Sequence, residues 1–181
     1  MQAQETITLE RDTLAIAVPS GQKVLIGKGS QVALMQALGG SFTVTAQGRM
    51  FRINGQDADA LGKTPLQPPE LPENASDEDV EGLVWEQMRS CYDPEIPINI
   101  VDLGLIYSCE IENKGDGTRR VWIEMTLTAP GCGMGDTLAN DVWQRVMEVP
   151  TVEEASVEMV FDPPWDASRM TEAARLETGM F

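Results

Sequence analysis

The sequence predicts an α+β protein in two parts: a small β-rich barrel or roll over residues 1–64, then, after a proline-rich linker at 65–75, a small two-layer α/β domain over 76–181. Three observations carry this reading. Turn residues recur every few positions up to Gly62, with short apolar or alternating runs between them. Pro65, Pro68, Pro69 and Pro72 then crowd a stretch through which neither a helix nor a central strand persists. Beyond them, hydrophobic spacing switches between helical and strand-like periods in the order αββαβα.

In the first part, strands are read at Thr6 to Leu9, Thr13 to Val18, Lys23 to Ile26, Gln31 to Gln36, Phe42 to Ala46 and Met50 to Ile53. Ser20-Gly21, Gly27-Lys28-Gly29, Gly39-Gly40, Gln47-Gly48 and Asn54-Gly55 punctuate them. No constellation of reactive side chains occurs there, so the module is expected to offer a contact surface, not chemistry. In the second part, Ser76 followed by Asp79 reads as a capping box opening a helix from about Asp77 to Ser90, with Val80, Leu83, Val84 and Met88 on one face. Asp93-Pro94 stops it. Two strands, Ile100 to Ile111 and Val121 to Thr128, flank the turn Asn113 to Gly117, and the alternation of Val121, Ile123, Met125 and Leu127 predicts a buried face. A helix at Gly135 to Met147, a third strand at Val152 to Phe161 with Val157, Met159 and Phe161 on one face, and a helix at Ser168 to Thr178 complete the domain.

The formal charge is −16, and it is unevenly spread: residues 1–66 carry 6 basic and 5 acidic side chains, residues 67–181 carry 7 and 24. Such a surface repels phosphates, so nucleic acid and anionic membranes are poor partners, and solubility or a basic patch on a protein partner accounts for it better. No apolar run reaches the roughly 18 residues of a membrane helix, and Gln2, Gln4 and Glu5 do not open a secretory signal, so a cytoplasmic location is expected. Histidine is absent. Ser-His-Asp and Cys-His mechanisms and histidine-ligated metals are thereby excluded. Cys91, Cys109 and Cys132 form no C-x-x-C pair, which argues against a structural zinc site or a disulfide framework.

Cys132 stands in Met125-Thr-Leu-Thr-Ala-Pro-Gly-Cys132-Gly-Met-Gly135, a glycine-rich loop between a strand end and a helix start. Free amide hydrogens and the helix dipole there favour the thiolate, the form needed by a soft-metal ligand or a nucleophile. The alternative is a small turn residue packed beneath the loop, and function is preferred because inert cysteines usually sit inside apolar strands or helices. Cys109 has such a strand setting and Cys91 lies at a helix end, so both are assigned to packing.

Asp93-Pro-Glu95-Ile-Pro97 is a rigid turn, and Asp102 follows at the start of the next predicted strand. The two aspartates read either as hard oxygen ligands or a proton-transfer pair, or as turn residues accepting backbone hydrogen bonds. In Phe161-Asp162-Pro163-Pro164-Trp165, consecutive prolines fix a corner, and Trp165 is either a core lid or an exposed contact. Loops gather at strand carboxyl ends in α/β domains, so Asp162 to Trp165 could border the Cys132 loop.

With Tyr92 to Tyr107, Met125 to Gly135 and Phe161 to Trp165 followed by Ala173-Ala-Arg175, the region from about Ser76 to Phe181 resembles the iron-sulfur assembly domain shared by the SufT family and the cytosolic iron-sulfur targeting factors of eukaryotes. The β-rich part, including Gln36 to Thr45, looks like an extension distinguishing the SufT family from the bare domain. The resemblance implies a non-enzymatic auxiliary role in iron-sulfur maturation. Cys132, Asp93 and Asp102 would meet iron or a transient cluster, and Glu95, Asp162 and Trp165 would face partners, namely SUF-type assembly proteins and apo iron-sulfur clients. Clusters usually take several thiolates, so one cysteine implies a site shared between protomers or with a partner, or else a pure adaptor. One departure is Thr178, where the family pattern has leucine before the glycine.

Overall fold

The computed structural model describes residues 5–93, 96–130, 133 and 135–180, Leu38 by its backbone alone. The chain divides into two compact units, Met1–Pro68 and Pro69–Phe181, with the division inside the proline-rich stretch.

The first unit contains β1 (Glu5–Thr8), β2 (Thr13–Val18), β3 (Lys23–Ile26), β4 (Gln31–Leu38), β5 (Ser41–Ala46) and β6 (Arg49–Asn54). They form one antiparallel sheet in the order β1-β4-β5-β6-β2-β3. Its core comprises Leu9, Ala15, Ala17, Ile26, Val32, Val44, Phe51, Ile53 and Leu61. A single sheet with so little else to cover its apolar face must curl upon itself. Since β1 and β3 do not pair among the described residues, the result is an open roll. A 3-10 segment at Gly55–Leu61, which the sequence reading did not anticipate, adds buried Ala58, Ala60 and Leu61. Asn54 accepts the Gln56 N–H at 3.0 Å to start the segment, and Gly62 ends it at φ +67°. Its sequence, alternating Asp with Ala, has no helical hydrophobic stripe to betray it.

The second unit contains α1 (Asp77–Arg89), β7 (Ile106–Asn113), β8 (Arg119–Met125), α2 (Gly135–Met147), β9 (Val152–Met159) and α3 (Glu172–Thr178), the expected αββαβα order. β7 pairs antiparallel with β8 across a hairpin, while β9 runs parallel to β8, and α2 supplies the crossover that parallel neighbours require. Val80, Val84 and Met88 of α1 and Leu138, Val142 and Val146 of α2 close over Val121, Ile123 and Met125 on one face of the sheet. Burying those nine side chains contributes about 1.5–3 kcal/mol each before chain entropy is charged against it.

Three boundaries differ from expectation. Residues 100–105 do not extend β7: they form a buried turn in which Ile100, Leu103 and Leu105 are fully enclosed and Gly104 takes φ +73°. An apolar run buried as a turn has the same composition as a buried strand, so periodicity could not separate them. The third strand ends at Met159, and Phe161 points outward, 48% exposed. The last helix is split into a 3-10 turn at Ala167–Arg169 and α3, because Thr171 caps the latter by accepting the Ala174 N–H at 3.2 Å. Thr178 uses its hydroxyl to donate to the Ala174 carbonyl at 2.8 Å, a hydrogen bond no leucine would make.

The opening of α1 is tied to the sheet by charge. Ser76 and Asp79 cap reciprocally, and the buried Arg119 donates to Asp77 at 2.8 Å and to the Thr151 hydroxyl at 2.8 Å. Arg119, ahead of Asn113, holds the Asp77 carboxyl below its ordinary range, and Arg120, ahead of Lys114, brings Glu154 down to about 2. A carboxyl whose folded pKa is depressed adds stability above its unfolded pKa and loses it as pH falls toward the folded value. Thermal stability is therefore expected to decline from about pH 4.5 to about pH 2. The double change Asp77→Asn with Glu154→Gln should flatten that decline in a Tm series across pH; an unaltered slope refutes these ion pairs as its source.

Candidate functional site

At the carboxyl end of β8 the three sequence blocks meet. The Thr126 N–H donates to the Leu105 carbonyl at 2.9 Å, and the Val160 N–H donates to the Met125 carbonyl at 2.8 Å. Tyr107 donates its hydroxyl to the Pro163 carbonyl at 2.8 Å, and the Trp165 indole donates to the Leu103 carbonyl at 2.7 Å. Blocks separated by up to 62 positions are thus stitched into one corner, from which the glycine-rich loop departs toward α2.

Asp93 is buried and accepts the Ile96 N–H at 2.8 Å, while its own N–H donates to the Ile98 carbonyl at 3.2 Å. Asp102 accepts the side-chain amide of Asn99 at 2.8 Å, and its carbonyl accepts the Thr171 N–H at 2.9 Å. Asn99 turns its other end on the backbone, accepting from Val101 at 3.1 Å and Asp102 at 2.9 Å. Both aspartates therefore brace the connection, the role turn aspartates commonly have. Sequence reading missed Asn99, although its spacing of three from Asp102 is an Asx-turn signal.

Gly104 packs hard against the far side of this corner: a Cβ there would lie 2.2 Å from the Arg169 carbonyl oxygen. Arg169 places its guanidinium 4.3 Å from the centre of the Tyr107 ring. Trp165 is half-buried against the core with its indole N–H satisfied, which makes it a lid over the 100–105 turn. Phe161, Asp162, Pro163 and Pro164, which precede it, are exposed.

Cys132 and Glu95 lie outside the described residues. The residues flanking Cys132 are placed: Thr126 and Leu127 are buried, and α2 begins at Gly135, three positions after the cysteine. Gly135 is small because Leu127 sits against it, 3.0 Å from where a Cβ would be. The other thiols are unsuited to chemistry. Cys91 is fully enclosed in the core, and burial, with Glu81 adding to it, pushes the Cys109 thiol up to about 11. Among the described residues, no group of three or more cysteine, aspartate and glutamate side chains is arranged to hold a metal ion.

A mixed three-stranded sheet with helices over one face, and with the three sequence blocks gathered at one strand end, defines the architecture of a small α+β domain. A solved domain of unknown function from Bacillus anthracis shares it, at 31% identity over 57% of this chain and 95% of that one, with a TM-score of 0.51. The chain belongs to the iron-sulfur cluster assembly protein family, whose model matches residues 83–158. It is 41% identical to a Porphyromonas gingivalis protein named Fe-S protein maturation auxiliary factor, over 53% of this chain and 88% of the relative. It is 35% identical to the Staphylococcus aureus Fe-S protein maturation auxiliary factor SufT, over 49% of this chain and 96% of that relative. Half of this chain thus spans nearly all of that SufT, so a β-rich extension is not what distinguishes it from the bare domain.

Proposed function

We propose that this chain is an auxiliary factor in the maturation of iron-sulfur proteins, presenting the Cys132 sulfur to iron or to a nascent cluster as cargo. Its partners in this reading are SUF-type assembly proteins and apo iron-sulfur clients. The observation that supports it is the convergence of the described parts of the 92–107, 125–135 and 161–165 blocks at the carboxyl end of β8, where the segment that carries Cys132 in sequence begins, while Cys91 is enclosed in the core and Cys109 lies in the sheet. Clusters usually take several thiolates, so one per chain suits brief handling shared with a partner or a second protomer. Asp93 and Asp102 serve this role by bracing the connection between α1 and β7, Asp162 and Trp165 by shaping the face presented to a partner, and Glu95 is assigned to that face from the sequence alone.

Complementation of a strain lacking the gene tests this. Cys132→Ser is expected to leave cluster-dependent enzyme activity at the level of the deletion, roughly tenfold or more below wild type if the thiolate is the working group. Full rescue by the serine variant sinks the thiolate role. A second reading, a pure adaptor without metal, is favoured by Asp93 and Asp102 being engaged in bracing the turn. Anaerobic reconstitution with iron and sulfide separates the two. A charge-transfer band lost in Cys132→Ser supports the first, and no band in either protein, with partner binding intact, supports the second.

A further inference from the structure

α1 and α2 cover only one face of the β7-β8-β9 sheet, and the other face has no layer over it among the described residues of the second unit. Register places its outward side chains in three rows: Ser108, Glu124 and Glu158; Glu110, Trp122 and Ser156; Glu112, Arg120 and Glu154. Five of these nine are glutamates, and a tryptophan that is 38% exposed stands at the centre. A depression of about 440 Å³ opens over it, lined by Ser108, Glu110, Trp122, Glu124, Ser156 and Glu158. It falls near the lower end of the range for small-molecule sites, yet it is broad and carries charged groups instead of an apolar lining.

The charges on this face are not balanced internally. Arg120 is the single cation among these nine; it pairs with Glu154 at 2.5 Å, lies 3.9 Å from Glu112 and sets its guanidinium 5.4 Å from the centre of the Trp122 ring, while Lys114 at the hairpin end also pairs with Glu154 at 3.0 Å. Glu110 and Glu158 take part in no ion pair among the described residues, and Glu124 accepts only the Ser108 hydroxyl, at 3.1 Å. Glu124 and Glu158 sit directly opposite each other on neighbouring strands, an arrangement that costs stability. A folded sheet that keeps like charges opposed beside a part-exposed indole already within reach of one guanidinium is poised for a further cation from outside, which Glu110, Glu124 and Glu158 would pair. Hydroxyls at Ser108 and Ser156 add hydrogen-bonding positions at the rim.

We infer that this open sheet face is a docking surface for a lysine- or arginine-bearing segment of a partner protein. The surface is separate from the corner at the carboxyl end of β8 and does not depend on Cys132, so Cys132→Ser is expected to bind such a segment like wild type. The probe is a fluorescent ten-residue peptide of alternating lysine and serine, titrated against the full chain by anisotropy at low and physiological salt. Glu110→Gln/Glu124→Gln/Glu158→Gln should weaken binding about tenfold while raising Tm, because it relieves the Glu124–Glu158 opposition, and Trp122→Ala should weaken it several-fold with the chain still folded. Glu70→Gln/Glu73→Gln/Glu177→Gln removes the same charge from exposed positions elsewhere and should leave affinity within about twofold. Equal loss in that control shows attraction to net charge alone and overturns the proposal, as does absence of peptide binding by wild type. Sedimentation of wild type as a dimer that the first triple variant dissolves assigns the face to a second copy of this chain and overturns it too.

Discussion

Gly104→Ala is expected to destabilise the second unit by about 3 kcal/mol, which lowers its Tm by about 10 °C or more. Two costs add. An alanine held at φ +73° loses about 1–2 kcal/mol relative to glycine, and its methyl carbon would stand 2.2 Å from the Arg169 carbonyl oxygen, a backbone atom that cannot swing aside. Relief requires the 100–105 turn to part from the Ala167–Arg169 segment, which also strains the Thr171 to Asp102 hydrogen bond of 2.9 Å. Gly115→Ala separates the two costs. Gly115 also has positive φ, +83°, but nothing lies within 4 Å of a Cβ there. That variant should lose only about 1–2 kcal/mol. Calorimetry of both variants decides: equal losses would mean the close approach at Gly104 does not exist.

Trp165→Ala is expected to cost about 2–3 kcal/mol and to abolish maturation activity while Cys132 stays in place. The ring is packed against the second unit's core, and its indole hydrogen bond of 2.7 Å satisfies the Leu103 carbonyl inside the corner. Removing it uncouples the 161–165 segment from the turn that Asp93 and Asp102 brace. Trp165→Phe keeps most of the apolar contact and loses the hydrogen bond, so it should cost about 1 kcal/mol and retain most activity. Tm measurements paired with complementation read both effects. If Trp165→Ala kept full activity at a temperature where it is folded, the corner would have no part in function.

Much of the architecture was legible from residue patterns. All six strands of the first unit stand within two residues of expectation, since Gly-containing turns at Ser20-Gly21, Gly39-Gly40 and Gln47-Gly48 leave few places for a strand to begin or end. α1 and α2 were legible because a capping box and helical apolar spacing mark them independently. Residues 100–105 were misread because Ile100, Leu103 and Leu105 are apolar for burial and not for pairing, and only the glycine between them hinted at a turn. At the corner, sequence named Asp93, Asp102, Asp162 and Trp165 and left the first two and Trp165 with two roles each. The structure adds the hydrogen bonds by which Asp93 and Asp102 brace the connection and Trp165 closes on Leu103, and no local pattern specifies a partner 62 positions away. Trp122 carries no signal of its own in the sequence, because its outward row is meaningful only beside β7 and β9.

By itself the sequence determined two parts divided by prolines, the αββαβα order, an acidic second part, and a lone loop cysteine before a helix. These depend on local conformational preference and on charge, both of which are written residue by residue. Only tertiary structure decided that the three blocks share one corner, that Trp165 is a lid, and that one sheet face stays open with its glutamates opposed. Such facts arise from which strand lies beside which, and that choice is made by burial of the whole core, to which every apolar side chain contributes and which no single segment encodes.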